Sequence, residues 1–385
     1  MLAETEIKYV FNEPVLQAGD ILLMNSYHEG IRSRINGCIY DHAAIYVGDA
    51  FLLESDGLSV TQYHIYSYGF KELDHACVLR LKNASQRELN QLVINARQQL
   101  GKGYSTRDAV SVPEYKDTDE KAHSDKTFCS RYVAKVYKSI GIDIVNNADY
   151  CEPDDFLASD KLIKLDYGLQ PATDEMMRTV MQTQAEREKT DTTLLEAYQK
   201  FGKLYGESVQ SFDDIQLQAS KHPELDDEAI HVLENDTKLF HFTEDFRANC
   251  AWFDNDDEFF SHFDTMEDCL FYIVNQFLHY DNTFLPMLSR NSLVLITNCI
   301  YCPYSRFMQR LRDGAKADLE EAKRIRERLA YLYIEANNRD NAAFDAFYNK
   351  YGFYHDYLNT EPVVDMSFIF EAIMKCGFPI QNGKQ

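Results

Sequence analysis

The sequence predicts an α+β domain over the first 165 or so residues, followed by an acidic, all-helical domain. Three observations carry that expectation. Short apolar runs broken by Gly-Asp and Asp-Gly turns recur up to about residue 81. Two amphipathic stripes at helical spacing follow, one after Ser85 and one from Cys129. Beyond Gly168-Leu169-Gln170-Pro171 the β-branched runs thin out, and Leu, Ala, Glu, Gln and aromatic residues recur at helical spacing. The expected division is therefore 1–168 and 169–385.

Strands are expected at Asp20-Ile21-Leu22-Leu23-Met24, Ala43-Ala44-Ile45-Tyr46-Val47, Phe51-Leu52-Leu53 and Ala76-Cys77-Val78-Leu79-Arg80-Leu81. Ser85-Gln86-Arg87-Glu88 has the form of a capping box, in which the serine hydroxyl and the glutamate each satisfy a backbone N–H. The helix it opens buries Leu89, Leu92, Val93 and Ala96 and stops at Gly101. Residues 114–126 are polar and without period, so they form an exposed loop. The next helix runs from Cys129 to about Ile140, with Tyr132, Val133, Val136, Tyr137 and Ile140 on one stripe and Gly141 ending it. In the remainder, helices are expected at Thr193–Leu204, Glu267–Tyr280, Gly314–Ala336 and Asn341–Tyr351. Of these, Gly314–Arg328 reads as an exposed helix laced with i,i+3 and i,i+4 ion pairs.

Charge excludes several functions. Sixty-two acidic against 39 basic residues give −23 over 385 residues, about −7 of it in the first 170 and about −16 in the rest. Phosphate-backbone binding and docking on anionic lipid both draw on Lys and Arg, so neither a nucleic-acid partner nor a basic membrane surface is expected. No run reaches the roughly 18 to 20 apolar residues of a membrane span. Met1 to Asp20 carries Glu4, Glu6 and Glu13 and no apolar core, unlike a Sec-type leader. A cytoplasmic protein is the expectation, and export by a route without such a leader is compatible with it. Nine scattered cysteines in so large a chain are expected mostly reduced and buried.

Two segments carry chemistry. Asp41–Ser55 reads as a β-hairpin with His42 at the start of its first strand and Glu54 at the end of its second. With a three-residue loop, Gly48 to Ala50, Val47 pairs with Phe51 and Ala44 lies opposite Glu54, which makes His42 and Glu54 diagonal neighbours on one face. A two-residue loop turns Glu54 to the other face; Asp56 shares the face of Glu54 and is the fallback partner of the histidine. The second segment is Thr127-Phe128-Cys129-Ser130-Arg131. It puts Cys129 in the first turn of a helix, where the partial positive charge favours thiolate and the N–H groups can receive an oxyanion. A histidine beside that sulfur, oriented by a carboxylate, completes a nucleophilic site.

The runs Ala18-Gly19-Asp20-Ile21-Leu22, Tyr40-Asp41-His42-Ala43-Ala44-Ile45-Tyr46-Val47-Gly48, then Glu54, Gly101-Lys102-Gly103-Tyr104 and Phe128-Cys129-Ser130-Arg131-Tyr132-Val133 resemble the circularly permuted papain-like thiol hydrolases. These are the YiiX/YebB-like relatives of the NlpC-type cell-wall peptidases, and here too the histidine precedes the cysteine. The resemblance covers about residues 15 to 165. It implies a permuted papain-like (NlpC-type) fold, with Cys129 as nucleophile, His42 as general base and acid, and Glu54 as the orienting carboxylate. It also implies Tyr104 as an oxyanion donor or groove-lining residue. The lecithin–retinol acyltransferase-like enzymes share the permuted order, but this chain has Glu54 where they carry a second histidine and Phe128-Cys129-Ser130 where they have Asn-Cys-Glu.

The expected activity is cysteine-dependent hydrolysis of an amide in a peptide, muropeptide or lipid, or of an ester, through an acyl thioester. An acyltransferase and a catalytically inactive interaction module, with a protein partner on the helical domain, stand beside it. No cofactor and no metal are expected. Cys299-Ile300-Tyr301-Cys302 lacks a second ligand pair for zinc. Asp254–Glu258 lacks the sixth-position glycine of a calcium loop and reads as a solvated turn or helix start. His231 and His241, ten residues apart, form no one-face pair. The aromatics Phe259, Phe260, Phe263, Phe271, Tyr272 and Phe277 read as helical core.

Overall fold

The computed structural model describes residues 6–25, 39–48, 50–236, 251–279 and 304–351. Cys299 to Cys302, His241 and the aspartate of the expected Gly-Asp turn lie outside the described residues. The chain forms two compact units, residues 1–198 with 208–212, and residues 199–207 with 213–385.

The first unit is built on a six-stranded antiparallel sheet of β2 (Ile21–Met24), β3 (His42–Gly48), β4 (Phe51–Ser55), β5 (Val60–His64), β6 (Ala76–Leu81) and β7 (Leu162–Lys164), in the order β5-β4-β3-β2-β6-β7. A ribbon of β1 (Tyr9–Phe11) and β8 (Leu169–Pro171) pairs Tyr9 with Pro171 and Phe11 with Leu169. Phe11, Leu22, Ala44, Tyr46, Leu52, Ile65, Phe70 and Val78 form one core cluster. β2 and β3 are almost wholly buried, as near-continuous apolar runs require.

The Ser85–Glu88 capping box is present. Glu88 Oε2 accepts from Ser85 N at 2.8 Å, and Ser85 Oγ accepts from Glu88 N at 3.3 Å, opening α1 (Gln86–Arg97). Leu89, Leu92, Val93 and Ala96 are buried on it as expected; α1 ends at Arg97, and Gly101 turns the following loop with φ 78°. Two short helices follow, α2 (Thr106–Val110) and α3 (Val112–Tyr115). α4 (Cys129–Ser139) lies against β3 and β4 and ends before Gly141 at φ 83°. Tyr132 ties it to α1 through Ala96 O at 3.1 Å, and the Tyr137 hydroxyl donates to Gly19 O.

α5 (Asp174–Tyr205) leaves the ribbon, and its residues up to Tyr198 belong to the first unit. Val180 packs with Ile7 and Val10, Thr183 Oγ1 donates to Tyr66 O at 2.7 Å, and Gln184 Nε2 donates to Ser67 O at 3.3 Å. The division expected at 168 followed the change in composition; by packing, the first unit continues about thirty residues further.

In the second unit every regular element among the described residues is helical. α6 (Phe212–Lys221) and α7 (Asp226–His231) precede α8 (Asp256–Ser261), α9 (Met266–His279), α10 (Arg306–Arg339) and α11 (Asn341–Tyr351). Asn255 caps α8, so Asp254–Glu258 is a helix start. The expected aromatic core forms around Phe253, Phe259, Phe277, Leu329 and Phe344. The segment read as exposed has i,i+4 pairs Lys316–Glu320 and Lys323–Glu327, yet it buries Asp318, Glu321, Ala322 and Ile325. One stripe of so long a helix faces the core even where charges dominate the sequence. No helix of the described residues is long and apolar enough to cross a membrane.

Candidate active site

Register builds the site. Gly48 lies opposite Phe51 and Tyr46 opposite Leu52, so Val47 is an extra residue bulged out of β3. The hairpin is therefore tighter than the three-residue loop expected, and the bulge restores the register that the longer loop would have given. Ala44 faces Glu54, and His42 and Glu54 share one face. Gly48 (φ 92°) and Ala50 (φ 60°) take the left-handed backbone the turn needs.

His42 Nε2 and Glu54 Oε2 stand 2.9 Å apart. Glu54 is fully buried, and the imidazole is 15% exposed. The chain leading into β3 is fixed by Asp154, whose carboxylate accepts from Ile39 N at 2.6 Å and Tyr40 N at 2.9 Å, and by Asp41 N donating to Met24 O. On the other side of the imidazole, Phe128 is extended (φ −144°, ψ 168°) and Cys129 is the first residue of α4. Cys129 is buried, its sulfur lies 4.0 Å from Asp41 O, and its side chain hydrogen-bonds with His42. With Nε2 turned to Glu54, Nδ1 is the nitrogen left for the sulfur. The fold thus brings together Cys129, His42 and Glu54, which lie up to 87 residues apart.

Asp56, the alternative partner, is bonded to Tyr63 Oη at 2.6 Å and to Leu58 N. Tyr104 packs against the cluster of Ala109, Val112, Phe128 and Tyr150, and its backbone bridges to Thr127, two residues before the cysteine. Two cavities, about 400 and 270 Å³, open on the first unit, and the walls of neither include Cys129, His42 or Glu54.

Sequence reasoning missed Tyr68 and Arg187. Tyr68 Oη lies 2.7 Å from both oxygens of Glu54, Arg187 reaches Glu54 Oε1 at 2.8 Å, and Arg187 donates to Tyr68 Oη at 2.8 Å. The same guanidinium lies 3.5 Å from Asp56 and 3.7 Å from Asp191, and 4.0 Å over the Tyr63 ring. A faint signal exists: Val180, Thr183, Gln184, Arg187 and Asp191 form one stripe at helical spacing, apolar at one end and polar along the rest.

These contacts set the charges. Burial alone raises the Glu54 carboxyl, but Arg187, His42 and the Tyr68 hydroxyl outweigh it and hold the pKa at about 2. Burial pushes His42 down, and the Glu54 carboxylate and hydrogen bonds to Cys129 and Glu54 carry it well above an ordinary imidazole. Asp56 moves the other way: burial raises it, Arg187 opposes, and the Glu54 charge adds to the rise. Such a site holds one ionised carboxylate against an imidazolium and a sulfur at a helix N-terminus, an arrangement suited to nucleophilic attack by thiolate.

Residues 15–165 match the model of the Peptidase_C92 family, described as permuted papain-like amidase enzyme, YaeF/YiiX, C92 family. No curated protein and no solved structure matches the chain. The matched stretch, less than half of the chain, is similar to permuted papain-like amidases; it contains Cys129, His42, Glu54 and Tyr104 and ends before Arg187.

Proposed function

We propose that the protein is a cysteine hydrolase that cleaves an amide bond through Cys129, His42 and Glu54 by way of an acyl thioester. The single observation that carries this reading is the His42 ring, bonded at Nε2 to the buried Glu54 and hydrogen-bonded to Cys129 at the start of α4. His42 takes the proton of Cys129, and the thiolate attacks the carbonyl carbon. The oxyanion is received by N–H groups at the first turn of α4. Collapse of the tetrahedral intermediate breaks the C–N bond as His42 gives its proton to the departing amine. Water, deprotonated by His42, then releases the acid and the free thiol. Glu54 holds the ring and offsets its positive charge throughout. Tyr104, packed against the residue that precedes the cysteine, is assigned to contact with the substrate on that side.

The test is intact-mass detection of an acyl adduct on Cys129 after incubation with peptide amides, N-acyl amides and acyl esters, with the products identified. The expected result is an adduct that Cys129→Ala abolishes, together with free acid and amine. Transfer of the acyl group to an added amine in preference to water would assign a transferase instead. No adduct on any pool, and no selective alkylation of Cys129 at neutral pH, would sink the enzymatic reading.

A further inference from the structure

We propose that Arg187, on the helix that follows the papain-like domain, is a positioning residue of this site, holding Glu54 as a carboxylate in register with His42. The inference rests on the nucleophilic role assigned above and extends the working unit past residue 165 into α5.

A carboxylate with no solvent access needs compensation from fixed partners. His42 is an intermittent one, because it is neutral each time it has given its proton to a leaving group. Tyr68 donates a hydrogen bond but carries no charge. Arg187 is the cation among these partners that keeps its proton through every step. It reaches the site from Asp174–Tyr205, seated by Val180, Thr183 and Gln184 against the β1 and β5 side of the unit.

Three carboxylates compete for this one guanidinium, and distance decides among them. Glu54 is nearest at 2.8 Å, with Asp56 at 3.5 Å and Asp191 at 3.7 Å. Asp56 and Asp191 are raised by burial and by Glu54, while Glu54 is lowered. The charged and titratable groups facing Glu54 are therefore His42 from β3, Asp56 from just past the end of β4, Tyr63 from β5, Tyr68 from the turn after it, and Arg187 and Asp191 from α5. Removal of Arg187 leaves the carboxylate beside two acids and a histidine that comes and goes. Its protonation then moves up in pH and takes the oriented imidazole with it.

The test is the pH dependence of Cys129 carbamidomethylation by iodoacetamide in the full chain, which needs no substrate. For Arg187→Gln the acid limb is expected to move up by about one pH unit, an approximately tenfold loss of rate near the limb, with less than about threefold change near pH 8. Arg187→Lys should recover part of the shift, and Arg178→Gln, on an exposed stretch of the same helix, should leave the limb in place. An unmoved limb in a folded Arg187→Gln overturns the proposal. Should that variant not fold, Arg187→Lys and Tyr68→Phe decide, and unmoved limbs in both overturn it. If the wild-type Cys129 does not react at all, the nucleophilic reading fails and this inference with it; a reactive Cys129 with an unmoved limb removes this inference alone.

Discussion

Removal of the sulfur separates chemistry from folding. Cys129→Ala should lose all adduct formation and keep its melting temperature, because a buried thiol packs as a small apolar group. Glu54→Gln keeps the shape but offers the imidazole an amide, and a loss of about 10²- to 10⁴-fold in acylation rate is expected, read by stopped-flow with an activated ester. His42 is raised in the folded protein, so its imidazolium persists well above pH 6.5 and is lost as pH rises through that raised value. Acylation of wild-type Cys129 by an amide, which needs the imidazolium as acid for the leaving amine, should show a plateau that extends above neutral pH, and Glu54→Gln should shorten it from the basic side. A second buried pair is structural. Arg131 Nη1 lies 2.7 Å from Asp108, whose side chain has no solvent access, and Arg131→Ala should cost about 3–5 kcal/mol in urea unfolding by stranding that carboxylate. At this scale the sequence was informative for Cys129, His42 and Glu54, whose residue types and order mark them. It was silent on Tyr68 and Arg187, since a tyrosine in a turn and an arginine in a charged helix look like any others.

Among the elements, the hairpin shows how a correct register can be reached by an unexpected path. The alternation of apolar residues in β3 and β4 defined both strands, but the bulge at Val47 leaves no mark in an apolar run. Deletion of Val47 should leave Ala44 opposite Glu54 and keep Cys129 reactivity within about tenfold, whereas deletion of Leu53 should turn residue 54 to the other face and abolish it. Alkylation rates of the two deletants, compared at neutral pH, check this. The Ser85–Glu88 box and the helix from Cys129 were legible because caps and 3.6-residue stripes are local. The seating of α5 on the first unit was not, because composition changes near residue 168 while the packing that holds Arg187 depends on Tyr66 and Ser67, more than a hundred residues earlier in the chain.

For the whole molecule, −23 of net charge means self-repulsion in the compact state. Raising salt from low ionic strength to about 0.15 M should therefore raise the melting temperature, by a few degrees in scanning calorimetry. Acid acts through Glu54 in the opposite sense. Its folded pKa of about 2 lies below that of an ordinary glutamate, so its contribution to stability is complete above the unfolded value and is lost as pH falls toward 2. Glu54→Gln should flatten that part of the stability curve.

The β1–β8 ribbon joins Tyr9 to Pro171 at its outer end and Phe11 to Leu169 at its inner end. Tension drawn through the chain before residue 9 and after residue 171 would load its three residue pairs one after another, an unzipping rather than a shear. A tether that tugged on both flanks would therefore peel away the strand leading into α5 well before the central sheet yielded, making the pairing a mechanical fuse placed upstream of the arginine that steadies the carboxylate.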